Sequence, residues 1–208
     1  MARPRSDIGP RIVHAARRRF LKEGVDGASL RMIARDAKTS IGMVYYYFPT
    51  KDDLFFAVVE EVYQGILGDL VLALANDAPV KERIRRVYER IGKLSKLELA
   101  AVQLIAREVL GSSSRLDRLI VRFQKGHIPL VIQTLMDGVE DGTIEARLPP
   151  AVLLLCTVAV GALPQVMRRV IGKRLPLQGL EDEAFTEHLV DVLFNGIGGR
   201  EKRVASAR

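Results

Sequence analysis

The stretch from Ser40 to Phe55 reads SIGMVYYYFPTKDDLF and puts three of the chain's five tyrosines in a row, ahead of a phenylalanine, a proline and a lysine. Successive helical residues turn by about 100°, so Tyr45, Tyr46 and Tyr47 look in three directions and cannot all enter one core. An outward phenol offers a hydroxyl to a phosphate and a flat face to a sugar, and Lys51 offers a charge. The charge distribution fits that chemistry. Met1 to Lys51 holds 11 Lys/Arg against 4 Asp/Glu, and the rest of the chain holds 21 of each, so the whole net charge of +7 sits in the first quarter. A polyanion partner at that end explains the excess directly. Catalytic chemistry has no comparable footing. There is no nucleophile motif or phosphate loop, and His14, His127 and His188 have no ligand spacing to one another or to Cys156. We therefore expect no enzyme, no metal and no cofactor.

The elements that must position these residues read as helices. No long alternating apolar run and no hairpin signal occurs, so the fold class is all-α. A basic arm with Arg3 and Arg5 precedes a first helix from about Gly9 to Lys22, with Ile12, Val13, Ala16 and Phe20 on one face and Gly24 as its stop. Ser29 caps a short second helix that turns Leu30, Ile33, Ala34 and Ala37 inward. After the turn Lys38-Thr39-Ser40, a third helix covers Ser40 to Tyr47 and stops at Phe48-Pro49. Thr50 and Asp53 then approximate a capping box for a long fourth helix that reaches about Asn76. Between Asp52 and Ala78 there are six acidic residues and no basic ones, which marks the edge of the polyanion surface. Further helices are expected at 80–95, 98–110, 115–141, 150–171 and 181–197, with a kink at His127-Ile128-Pro129 and a polar, disordered tail.

Two short helices joined by a tight turn and preceded by a longer amphipathic helix make a helix-turn-helix. At this point SLRMIARDAKTSIGMVYYYFPTKDDLF resembles the signature of the tetracycline-repressor (TetR) family of transcriptional regulators, in Ile33-Ala34, Ala37, Ser40-x-Gly42, Tyr45-x-Tyr47-Phe48 and Lys51 followed by acids and Leu54. The resemblance covers about residues 9–56. It implies a sequence-specific DNA-binding regulator, a repressor by family default. Tyr45, Tyr47 and Lys51 resemble the family's phosphate contacts; Ser29 and Arg31 lie near the backbone, Arg31 within reach of a base, and Tyr46 touches backbone or bases. Val44 and Phe48 pack the core of the unit. The chain departs from the pattern at Lys38, where a glycine is usual, at Met43, where a threonine is usual, and at Ile41, where a polar or basic residue is usual. The edge Ser40, Ile41, Gly42, Met43 is therefore apolar. Either it meets thymine methyls and reads DNA shape, or Ile41 packs on the first helix. Lys38 adds a phosphate contact, and Arg3 and Arg5 make diffuse ones.

The expected organisation is a DNA-binding domain at 1–51, a helical effector-binding and dimerisation domain at 52–199, and a basic tail at 200–208. The resemblance implies a homodimer, a double-stranded palindromic operator and a small-molecule effector, which the few charges on the apolar faces make apolar or amphipathic. Candidate effector-lining residues are Tyr63, Leu67, Tyr88, Gln103, Arg107, Phe123, His127 and Met136. Leu153, Val160, Leu163 and Met167, with Phe185, Leu189, Val192 and Leu193, are expected to form a four-helix bundle with their copies. Ala151 to Met167 carries no charge, but it is short for a bilayer and contains Pro164, so burial in a core or a subunit interface is preferred to a membrane span. A single cysteine and no signal peptide suit an intracellular, cytoplasmic protein. The competing reading is a helical protein that binds nucleic acid without sequence preference.

Overall fold

The computed structural model describes residues 7–111, 114–145, 147–174 and 181–196. The arm with Arg3 and Arg5, the 200–208 tail, and parts of the breaks at 111–114 and 172–179 lie outside the described residues. Among the described residues eleven α-helices follow one another: α1 Ile8–Gly27, α2 Leu30–Asp36, α3 Ile41–Tyr47, α4 Lys51–Ala73, α5 Val80–Gly92, α6 Lys96–Leu110, α7 Leu116–Gln124, α8 His127–Glu140, α9 Pro150–Thr157, α10 Leu163–Ile171 and α11 Asp182–Asn195. Among the described residues there is no strand.

The helices divide into two compact units. The first takes the chain to Leu72 and again from Leu94 to Pro129. Its core is built from Ile12, Phe20, Ile33, Val44, Leu54, Phe55, Val58, Leu104 and Leu119, all at most 1% exposed. The start of α4 thus shares one core with α1–α3. Gly24, expected to end the first helix, breaks α1 with a left-handed backbone (φ 75°), and one more helical turn follows. Thr50 and Asp53 form the expected box: the Thr50 hydroxyl oxygen accepts from the Asp53 N–H at 3.0 Å, and the Asp53 carboxylate accepts from the Thr50 N–H at 3.2 Å.

The expected helix at 115–141 is two helices. The chain breaks at Lys125-Gly126, where the Tyr63 hydroxyl stands so close that a Cβ on Gly126 would meet it at 2.2 Å. Pro129, expected to kink a helix interior, sits in the first turn of α8, where a missing N–H costs little.

The second unit takes Ala73 to Lys93 and the chain from Leu130 onward. Here α5 packs on α10 and α11. The expected helix at 150–171 is α9 and α10 joined by a π-helical turn, Val158–Ala162, across which the Leu163 N–H bonds the Val158 carbonyl. Tyr88, fully buried, lies against Gly161 of that turn and donates its hydroxyl to the Thr157 carbonyl at 2.9 Å. Gln165 donates to the Thr186 hydroxyl at 2.9 Å, and Arg83 pairs with Asp137 at 2.8 Å.

Candidate nucleic-acid interface

The site begins at the corner between α2 and α3. Ile33, Ala34 and Ala37 are buried, so the apolar face of α2 is anchored and Arg31 and Arg35 stand exposed on the opposite side. Ser29 occupies the cap position of α2, but its side chain makes no capping bond, which corrects the expected role. Lys38 adopts the left-handed region (φ 52°), the conformation that makes glycine usual at this corner. The Thr39 N–H closes the turn on the Ala34 carbonyl at 3.0 Å. The departure from glycine therefore costs on the order of 1 kcal/mol of backbone strain and leaves an exposed cation between the two helices.

Ser40 caps α3: its hydroxyl accepts the Met43 N–H at 3.2 Å. Val44 is fully buried, and Ile41, Tyr47 and Phe48 pack half-buried against the core. Of the two readings for Ile41, packing on the core is the one the structure shows. Gly9 of α1 lies against the Tyr47 ring, and Tyr46 meets Tyr47 edge-on with centroids 5.4 Å apart. What α3 presents outward is Gly42, Tyr45 and Tyr46, with 52% of Tyr45 and 77% of Tyr46 exposed and Met43 half-buried.

Lys51 opens α4 and donates to the Asp26 carbonyl at 2.8 Å. The carboxylates around it are neutralised from α7. Arg115, 6% exposed at its side chain, donates to Asp26 at 3.0 Å, to Asp52 at 3.0 Å and to Glu108 at 2.7 Å. Its guanidinium holds the Asp26 carboxyl below the usual carboxylate range. The bond from the Thr50 hydroxyl, then Arg118, lowers Asp53 in the same way. Arg107 donates to the carbonyls of Leu21 at 2.7 Å and Phe20 at 3.4 Å, groups just before the break in α1. Sequence counting treated every cation of the first quarter as available. Arg17 is paired with Glu61 at 2.5 Å, and Arg19 is paired with Asp36 and Glu23 at 2.7 Å each. Arg31, Arg35 and Lys38 make no ion pair among the described residues and are exposed. Arg35 and Arg115 were missed by sequence reasoning; Arg35 lay one helical turn from Arg31, a signal that was present.

The candidate effector-lining residues fall in both units. Tyr63, Phe123 and His127 form one aromatic cluster in the first unit, with centroids 5.0–5.8 Å apart and half-buried Leu67 on the same core. The Tyr63 oxygen accepts the His127 backbone N–H at 3.4 Å and is hydrogen-bonded to His127 Nδ1 at 2.8 Å, in a direction set by the imidazole tautomer. Gln103 is half-buried on α6, Arg107 is spent on α1, and Tyr88 and Met136 belong to the second unit. An open groove of about 610 Å³ lies between α4 and α7, lined by Phe56, Ala57, Glu60, Arg118, Val121 and Arg122. A cavity of about 240 Å³ in the second unit is lined by Leu135, Ile144, Leu148, Leu153, Cys156 and Phe194. None of the eight candidates lines either.

Of the candidate interface residues, Leu153 is buried in its own chain, and Val160, Phe185, Leu189, Val192 and Leu193 are half-buried. Leu163 and Met167 are exposed, and they continue an apolar face that sequence reasoning did not name: Val152, Leu155, Val158 and Val170. Pro150–Ile171 is long and apolar enough to cross a membrane by length and composition.

Residues 12–58 match the family model of bacterial regulatory proteins of the tetR family. The chain is similar to the HTH-type transcriptional repressor NicS of Pseudomonas putida, 42% identical over 52 residues, which is 25% of this chain and 24% of that one. Against that repressor and two other curated regulators, the chain spans 24 to 49% of the relative's length. Its fold is that of the regulator FadR from Bacillus subtilis, solved with stearoyl-CoA (TM-score 0.69, 19% identity, 91% of this chain and 99% of that one). It is equally that of AibR, solved with isovaleryl coenzyme A and operator DNA (TM-score 0.68, 19% identity, 90% and 98%).

Proposed function

Because residues 12–58 match the model of the tetR family of bacterial regulatory proteins, we propose that the chain is a member of that family, a sequence-specific transcriptional regulator that represses from a palindromic operator and is released by a small-molecule effector. The observation that carries this reading is the sorting of charge around α3. Arg31, Arg35 and Lys38 face outward, while Asp26, Asp52 and Asp53 are held by Arg115 and Arg118. A polyanion meets cations there and little uncompensated negative charge. Tyr45, Tyr47 and Lys51 bind phosphates and set the register; α3 enters the major groove.

The exposed apolar face of α9 and α10 is covered by a second copy, which gives a homodimer with two heads about one DNA turn apart or slightly more. Residues to 51 bind DNA, and residues 52–199 sense and dimerise in the cytoplasm. The acyl-CoA molecules bound by FadR and AibR are amphipathic and suit the expected effector class. Arg107 and Arg115 tie α6 and α7 to α1 and α4, so a ligand that shifts α6 or α7 moves the head. It does so only by binding the two states with different affinity.

Selection from a random double-stranded DNA library, with the wild type and a Tyr45→Ala/Lys51→Ala variant, tests this. One inverted repeat enriched by the wild type and bound at least about tenfold more weakly by the variant supports the proposal, since two phosphate contacts are lost. Binding without an enriched motif makes the protein a non-specific nucleic-acid binder instead.

A further inference from the structure

How α3 reads a base is open, because none of the usual readers is present. Ile41 to Tyr47 contains no Arg, Lys, Asn, Gln, Asp or Glu, so no bidentate hydrogen bond to a base edge starts from this helix. The Ser40 hydroxyl is committed to the Met43 N–H at 3.2 Å. Ile41 packs half-buried against the core. Gly42 and Tyr46, four residues apart, share the outward side of α3.

The two fit each other in kind. Tyr46 is the more exposed of the two outward tyrosines, and its edge-on contact with Tyr47, itself against Gly9, holds the ring in place. Gly42 lacks any reason within the chain to be glycine. Its backbone is helical, and a Cβ there would touch only the Ser40 oxygen, at 3.8 Å. Open space also surrounds Gly65 and Gly68 of α4, so the absence of neighbours does not decide the matter by itself; the position one turn before Tyr46 does. A bare Cα one turn before an exposed aromatic ring leaves open apolar surface on the outward side of α3, and Arg31, Arg35 and Lys38 are exposed cations of the same helix-turn-helix.

We infer that Tyr46 is the specificity-determining residue, and that its ring, beside the bare Cα of Gly42, receives the C5-methyl group of a thymine in the major groove of each half-site. This rests on the operator reading above. The methyl is the one apolar group that a base pair shows there, and it distinguishes A·T from the other pairs without a hydrogen bond. Burying one methyl is worth about a fourfold change in affinity.

The test takes the enriched operator and replaces its thymines with deoxyuridine, one symmetric pair at a time, which removes only the methyl. Affinities are measured at one fixed salt concentration for the wild type, Tyr46→Ala, Gly42→Ala and Gly65→Ala. The expected result is one symmetric position where deoxyuridine weakens wild-type binding about fourfold per half-site and leaves Tyr46→Ala unaffected. Gly42→Ala, whose Cβ would meet only the Ser40 oxygen at 3.8 Å, keeps the wild-type thermal midpoint yet binds the thymine operator more weakly, so lost folding cannot explain the loss. Gly65→Ala binds like the wild type. A wild type indifferent to every deoxyuridine, or a Tyr46→Ala protein equally sensitive, overturns the inference and leaves the operator reading standing. A library with no enriched sequence overturns both.

Discussion

His127 carries its consequence in a proton it declines. Burial, then the nearby Arg122 cation, lower its pKa from 6.5 to about 4. The neutral ring is hydrogen-bonded to the Tyr63 hydroxyl through Nδ1 at 2.8 Å. The unfolded chain binds the proton at the ordinary value, so the unfolded state gains protons first as pH falls. The stabilising contribution is whole above pH 6.5, shrinks between 6.5 and 4, and amounts to about 3 kcal/mol. Denaturant midpoints at pH 7.5 and pH 4.5 should differ by that order in the wild type and much less in His127→Gln. The carboxyls of Asp26, Asp36 and Asp53, each lowered chiefly by a hydrogen bond, act further down. Their contribution is present above the ordinary carboxylate range and is lost as pH falls through their lowered values.

At the scale of elements, the π-helical turn Val158–Ala162 is the place where helix geometry and packing meet. A Cβ on Gly161 would lie 1.8–2.2 Å from the Tyr88 ring, inside the ring's own volume. Gly161→Ala should therefore cost at least about 1–3 kcal/mol, read as a lowered thermal midpoint, while Gly172→Ala, whose Cβ would meet only the Arg168 side chain at 3.5 Å, should not. Nothing in the sequence announces this turn, because Tyr88 lies 73 residues from Gly161. The same holds at Gly126, whose demand for a glycine comes from Tyr63. Local signals were readable where the cause is local. The Thr50–Asp53 box, the break at Gly24 and the inward Ile33, Ala34 and Val44 all follow from spacing and cap chemistry. Ser29 and Ser40 look alike as letters, yet only Ser40 makes its capping bond. Arg115 was unreadable because its partners come from positions 26, 52 and 108.

At the scale of the whole molecule, one chain leaves too much apolar surface uncovered on a single helix run. Leu155 is 68% exposed and Leu163 53%, with Val152, Val158, Met167 and Val170 beside them. Contiguous apolar surface of this kind marks an interaction site. Leu155→Glu/Leu163→Glu should convert a dimer to a monomer in sedimentation velocity with unchanged helix content, and operator binding should fall because two half-sites no longer act together. A detergent requirement in the wild type would instead assign that face to lipid. Cys156, the chain's one cysteine, is exposed next to Leu155. The protein therefore carries a single native attachment point for a thiol-reactive dye or spin label, with no other thiol to remove first. One label per chain on that helix gives a spectroscopic signal that changes when the face is covered, so subunit exchange can be followed in time on the unaltered sequence.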